Sequence, residues 1–97
     1  MDKNDINRLH AIVHGRVQGV SFRYFVTNSA GRLELNGWVR NRFGGTVEVL
    51  AEGKRENLEN LLLILHQGPR ASNVTKVEHE WQEMTGEFKR FRVRMTR

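Results

Sequence analysis

The strongest constraint on the fold is the way hydrophobic periodicity switches along the chain. In "LHAIVH", Leu9 to His14, the residues Leu9, Ala11 and Val13 share one face of a period-two segment that Gly15 ends. From Phe22 the spacing changes. Phe22, Phe25, Val26, Ala30 and Leu33 recur at offsets of three, four, eight and eleven residues, which is one face of a helix. Period two returns in "GWVRN" (Gly37 to Asn41) and "TVEVLAEG" (Thr46 to Gly53), joined by "RFGG", a glycine-bearing link that suits a hairpin. Leu58, Leu61, Leu62 and Leu65 mark a second amphipathic helix, stopped by Gly68 and Pro69. Val77, His79 and Trp81 then alternate with charged neighbours, as do Phe91, Val93 and Met95 with Arg90, Arg92 and Arg94. The order strand, helix, strand, strand, helix, strand, with a short extra C-terminal strand, predicts an α+β split βαβ (ferredoxin-like) sandwich. Its sheet is expected to be antiparallel, with both helices on one face. That architecture hosts many unrelated functions, so function has to be read from particular residues.

A length of 97 residues predicts one domain with a single modest core. Sixteen Lys plus Arg against eleven Asp plus Glu leave a net charge of +5, which favours anionic partners without choosing among polyanions, membrane surfaces and small ligands. The absence of cysteine excludes disulfides, thiolate metal sites and cysteine nucleophiles. The longest apolar run, Leu61 to Leu65, is far short of the roughly 20 residues that span a bilayer, and "MDKNDINR" lacks the apolar core of a secretion signal. These features predict a soluble cytoplasmic protein without membrane association. Residues 1–7 are expected to form a flexible tail, and the chain to be a monomer.

The stretch "GRVQGVSFR", Gly15 to Arg23, leads from the first strand into the first helix. A helix N-terminus has unpaired N–H groups and a partial positive charge, and glycines permit the backbone angles and close approach that an anion-holding loop needs. Arg23 would add a planar fork of donors matched to two phosphate oxygens. The plainer reading is a tight turn in which Ser21 caps the helix and Arg23 is a solvated charge. By residue type alone both readings stand, and the spacing matches neither common nucleotide-binding fingerprint.

Other chemistry finds little support. The aspartates are Asp2 and Asp5, and between Ser21 and Val47 the sole carboxylate is Glu34, so no acidic pair lies near these segments to hold magnesium. His10, His14, His66 and His79 are scattered over different elements and read as ordinary strand or surface residues, His14 beside the loop included. Ser21 as a nucleophile has no base partner in sequence. Asn41, taken alone, reads as a hairpin residue bonding its own turn. Trp38, Trp81 and the phenylalanines read as core or sheet-face residues, and Arg90, Arg92 and Arg94 as a solvated face. The basic charge and the fold also suit a nucleic-acid-binding or phosphate-binding module without turnover. Against nucleic acid, no strand carries the aromatic-rich sequence that stacks RNA bases.

"VHGRVQGVSFR" (Val13 to Arg23) and "GWVRNRFGGTVEVLAEG" (Gly37 to Gly53) together resemble both signature segments of the acylphosphatase family, small enzymes that hydrolyse carboxyl phosphates. The resemblance continues through Ala30 and Leu33, "GPRASNV" after the second helix, and "FKRFRVR" near the end. It implies metal-free and cofactor-free hydrolysis of small acyl phosphates such as acetyl, carbamoyl or glyceroyl phosphate, with inorganic phosphate as product and inhibitor. It further implies that Arg23 binds the phosphoryl group together with the loop amides of Arg16, Val17, Gln18, Gly19 and Val20. Asn41 would position the attacking water, with proton removal left to the substrate phosphate. No nucleic-acid partner follows from it.

Two positions depart from the family pattern. Glu34 stands where a glycine near the end of the first helix is common; either it accepts a left-handed backbone at small cost or the helix ends differently. Gly44 replaces an aspartate before the hairpin glycine and is expected to loosen the tip near Asn41.

Overall fold

The computed structural model describes residues 5–97. Its elements are β1 (Ile6–Arg16), α1 (Phe22–Arg32), β2 (Asn36–Asn41), β3 (Val47–Lys54), α2 (Arg55–Gln67), β4 (Asn73–Gln82) and β5 (Phe91–Val93). They form one sheet in the order β4-β1-β3-β2-β5. β1 pairs antiparallel with β3 and β4, and β2 with β3, which is the split βαβ arrangement.

Two expectations are corrected. The sheet is mixed rather than wholly antiparallel, because β5 runs parallel to β2. The cause is topological: β4 and β2 lie on opposite sides of β1 and β3 and run in opposite directions, so a chain that leaves β4 and returns at the far edge runs as β2 does. The flexible tail expected over residues 1–7 is contradicted at two of its positions. Ile6 and Asn7 belong to β1, paired with Lys54 and Gly53, while residues 1–4 lie outside the described residues.

The period-two pattern of β1 sets the core. Leu9, Ala11 and Val13 are fully buried beneath the helices together with Val39 of β2 and Val47, Val49 and Ala51 of β3. From α1 a spacing of four delivers Phe22, Val26 and Ala30, and from α2 a spacing of three and four delivers Leu58, Leu61 and Leu65. α2 stops where expected: the Gly68 N–H bonds the Ile64 carbonyl oxygen at 2.9 Å, and Pro69 follows.

α1 ends in a left-handed turn. Glu34 has φ 57°, its N–H bonds the Gly31 carbonyl oxygen, and the Leu35 N–H bonds that of Ala30. This is the two-bond helix stop that glycine usually makes, with glutamate in its place.

The face of the sheet away from the helices is less solvated than its charged residues suggest. Glu48 and Glu52 are buried there. Glu48 receives hydrogen bonds from Arg40 Nε at 2.8 Å and lies 2.7 Å from His10 Nε2. Glu52 accepts from Arg8 Nε, from the Thr85 N–H and hydroxyl, and from the Gly86 N–H, so the connection between β4 and β5 is tied across this face. Burial raises the pKa of both carboxyls, and these hydrogen bonds outweigh it and hold each below the ordinary carboxylate value. Arg94, expected to be merely solvated, lies over the rings of both Trp38 and Phe88.

Candidate active site

The loop from Val17 to Ser21 is fixed at its start by packing and by register. The β1 and β4 ladder shifts between His14 and Gly15, where Thr75 is passed over. Gly15 sits at that shift with φ +117°, and a Cβ there would fall inside contact distance of the Asn73 carbonyl oxygen, so only glycine fits. Val17, 1% exposed, drops its side chain into the core. Gln18 turns the other way: its Nε2 donates to the carbonyl oxygens of Arg42 at 2.8 Å and Thr46 at 2.9 Å, tying the loop to both ends of the β2 and β3 hairpin. Gly19 has φ +73° with open space where a Cβ would be.

Ser21 is not the side-chain cap expected. Its backbone is left-handed, φ 63° and ψ 26°, and its hydroxyl makes no cap hydrogen bond; its carbonyl oxygen instead accepts from the Phe25 N–H at 3.0 Å. A capping residue needs an extended backbone to aim its oxygen at the first-turn amides, and the left-handed turn removes that geometry. The consequence is a row of free donors. Among the described residues, no backbone N–H from Val17 to Tyr24 has a partner in the protein. No acidic residue stands in the first turn of α1, so the positive end of the helix dipole is uncompensated.

A cavity of about 490 Å³ opens at this point. It brings together Val17, Gly19 and Arg23 from the first segment and Asn41 from the second, with Ser21, Phe22, Tyr24, Thr27 and Val93 completing the wall. Arg16, Gln18 and Val20 are not part of that wall. Arg16 closes β1 opposite Asn73, Gln18 faces the hairpin, and Val20 packs against the core.

Arg23 is half-buried in the first turn of α1, and no carboxylate pairs with it among the described residues. Arg8, Arg40 and Arg55, by contrast, are each bound to glutamate. Asn41 is the last residue of β2. It is opposite Val47 of β3, and its carbonyl oxygen accepts from the Arg97 N–H at 3.2 Å, so the backbone that carries it is held from both sides.

Three of the histidines have partners elsewhere. His14 Nε2 lies 2.7 Å from Glu78, whose pKa is lowered first by that hydrogen bond and then by Lys76. His10 is on Glu48, and His79 packs edge-on to Trp81. Among the described residues no three His, Cys, Asp or Glu side chains gather in a metal-holding group. Both tryptophans are already covered by arginine, Trp38 by Arg40 and Arg94 and Trp81 by Arg55, so neither ring is free to stack a base.

Sequence reasoning missed Phe22, Tyr24, Thr27 and Val93 as cavity residues. Tyr24 and Thr27 follow Arg23 by one and four positions, a helical proximity that could have flagged them. Val93 carries no local signal, since it reaches the cavity only because β5 pairs with β2.

The fold and site define a class of small α+β proteins: a split βαβ sandwich in which a cavity is lined from the first loop and helix by residues whose amides have no protein partner and by an arginine with which, among the described residues, no carboxylate pairs. Comparison with known proteins narrows the class. The acylphosphatase family model matches residues 9–93. An acylphosphatase from Pelotomaculum thermopropionicum is 48% identical over 86 residues, covering 89% of this chain and 94% of that protein. One from Salinibacter ruber is 43% identical over 94 residues, covering 97% and 99%. The crystal structure of acylphosphatase from Bacillus subtilis superposes with a TM-score of 0.87 at 39% identity, covering 90% of this chain and 97% of that one. The chain belongs to the acylphosphatase family.

Proposed function

We propose that this chain is an acylphosphatase that hydrolyses the carboxyl-phosphate bond of small acyl phosphates, with Arg23 and the loop amides as phosphoryl donors and Asn41 as the residue that positions water. The observation that carries this reading is that one cavity is lined by Arg23, Asn41 and loop residues whose amides have no partner in the protein. Phosphoryl transfer proceeds through a loose transition state with charge spread over the equatorial oxygens, so donors fixed in advance supply most of what catalysis requires. The water oxygen forms a bond to phosphorus as the bond to the acyl oxygen breaks, and its electron pair departs on the carboxylate. A carboxylate, with a conjugate-acid pKa of about 4, leaves without a general acid. The Asn41 amide accepts one hydrogen bond from the water and donates another, which orients it without deprotonation. The proton passes to a phosphate oxygen.

Inorganic phosphate, as product, competes for the same donors. Acetyl, carbamoyl and glyceroyl phosphates all present the group these donors read. The proposed form is a single-domain monomer in the cytoplasm, and the lack of cysteine is compatible with a reducing compartment. Among the described residues, no helix is long and apolar enough to cross a membrane.

The test is hydrolysis of benzoyl phosphate in the presence of a chelator. Arg23→Ala and Asn41→Ala are expected to lower kcat by about 100-fold or more while leaving the fold intact. A folded wild type without activity, or variants at the wild-type rate, would refute the reading.

A further inference from the structure

Among the described residues seven large hydrophobic side chains are exposed, and two of them, Tyr24 at 69% and Val93 at 49%, line the same cavity. They come from different elements: Tyr24 from the first turn of α1, directly after Arg23, and Val93 from β5, opposite Val39 and two positions along β2 from Asn41. Packing accounts for neither, since both keep about half or more of their surface in water. The other apolar wall residues, Val17 and Phe22, are buried to within 2% and form the floor. Thr27, on the same helical face as Tyr24, spends its hydroxyl on the Arg23 carbonyl oxygen at 2.9 Å and adds no free donor.

The cavity wall therefore combines the polar set Gly19, Ser21, Arg23 and Asn41 with two exposed apolar side chains. A phosphoryl group held by those polar residues leaves the acyl substituent to meet the rest of the wall, where the exposed apolar side chains are Tyr24 and Val93. We infer that Tyr24 and Val93 form an acyl subsite that favours acyl phosphates with aromatic or branched apolar acyl groups over acetyl phosphate. This rests on the reading of Arg23 and Asn41 given above. An acetyl methyl is too small to cover both side chains, whereas an aryl ring buries surface against both and stacks on the tyrosine.

The experiment measures kcat/KM for benzoyl phosphate and acetyl phosphate and takes their ratio, in wild type, Tyr24→Ala, Tyr24→Phe and Val93→Ala. Tyr24→Ala is expected to lower the ratio about tenfold, the scale of one apolar contact in a specificity pocket. Tyr24→Phe keeps the ring and is expected to keep the ratio, while Val93→Ala lowers it to a smaller extent. An unchanged ratio in Tyr24→Ala with hydrolysis retained overturns the subsite and leaves the roles of Arg23 and Asn41 standing. A Tyr24→Phe ratio as low as that of Tyr24→Ala assigns the effect to the hydroxyl and overturns an apolar subsite, and a Val93→Ala ratio equal to wild type removes its second wall. A wild type that hydrolyses neither compound overturns the reaction and the subsite together.

Discussion

Replacing Gln18 should separate positioning from binding. Its amide sits between the two ends of the hairpin tip, donating to Arg42 at 2.8 Å and Thr46 at 2.9 Å, and Asn41 is the residue immediately before Arg42. Each hydrogen bond contributes about 1 kcal/mol net. Neither carbonyl is left bare by the loss, because the Arg42 oxygen also accepts from the Gly45 N–H and the Thr46 oxygen from the Arg42 N–H. Gln18→Ala should therefore cost about 2 kcal/mol of stability rather than the larger penalty of a buried unpaired group. Gln18→Glu should cost at least as much, since a carboxylate in that place would face two carbonyl oxygens with no proton to offer. The effect on turnover follows from geometry. In the proposed mechanism the loop amides and the Asn41 side chain act together from different elements, and a loss of register of about 1 Å between them is worth up to 100-fold in rate. Urea unfolding gives the stability change, and steady-state kinetics on benzoyl phosphate give kcat and KM separately. The expected pattern is a kcat reduced at least tenfold, with KM changed much less. A Gln18→Ala protein with wild-type kcat and an unshifted unfolding midpoint would show that the bridge neither holds the hairpin nor positions Asn41.

Two further outcomes follow from the backbone and the outer face. Glu34 is exposed at φ 57°, a left-handed conformation that costs a non-glycine residue about 1 to 2 kcal/mol. After the larger unfolded-state entropy of glycine is subtracted, Glu34→Gly should gain about 0.5 kcal/mol in urea unfolding, and a loss of stability would contradict the strain. Glu52 has a pKa lowered in the folded state, so its contribution is fully present above its unfolded value and is lost as pH falls through the folded one. Stability of the wild type should fall between about pH 5 and pH 3 more steeply than that of Glu52→Gln, which at pH 7 should be the weaker by about 2 kcal/mol. Parallel stability curves for the two proteins would show that Arg8, Thr85 and Gly86 do not favour the ionised carboxyl.

Sequence periodicity located every element, because which face of a segment is apolar is a local property. It reported poorly on what lies opposite the polar face. "TVEVLAEG" reads as a strand with a solvated side, yet Glu48 and Glu52 on that side are buried. Their partners stand far off in sequence: Arg8 reaches Glu52 across 44 positions, and the Thr85 and Gly86 amides reach it across 33 and 34. The parallel β5 belongs to the same class, since the direction of an edge strand depends on where its connection crosses the sheet. Gln18 is a third instance, its amide spent on carbonyls 24 and 28 positions away. Val93 reaches the cavity by way of that same edge strand.

Ser21 fails as a cap for a different reason. Serine before an apolar periodic run is a sound local signal for a helix start, and the helix does start at Phe22. Had Ser21 taken the extended backbone of a capping residue, its hydroxyl would have satisfied the N–H of Arg23 or Tyr24. Those amides border the cavity, and a dianion would then find the leading donors of α1 already occupied. The left-handed Ser21 gives up about 1 kcal/mol of helix stability, and with Gly19 it turns the loop so that its amides keep their hydrogen-bonding capacity. The local rule is broken at the place where obeying it would compete with the proposed phosphoryl binding, which is where a conflict between propensity and structure carries functional information.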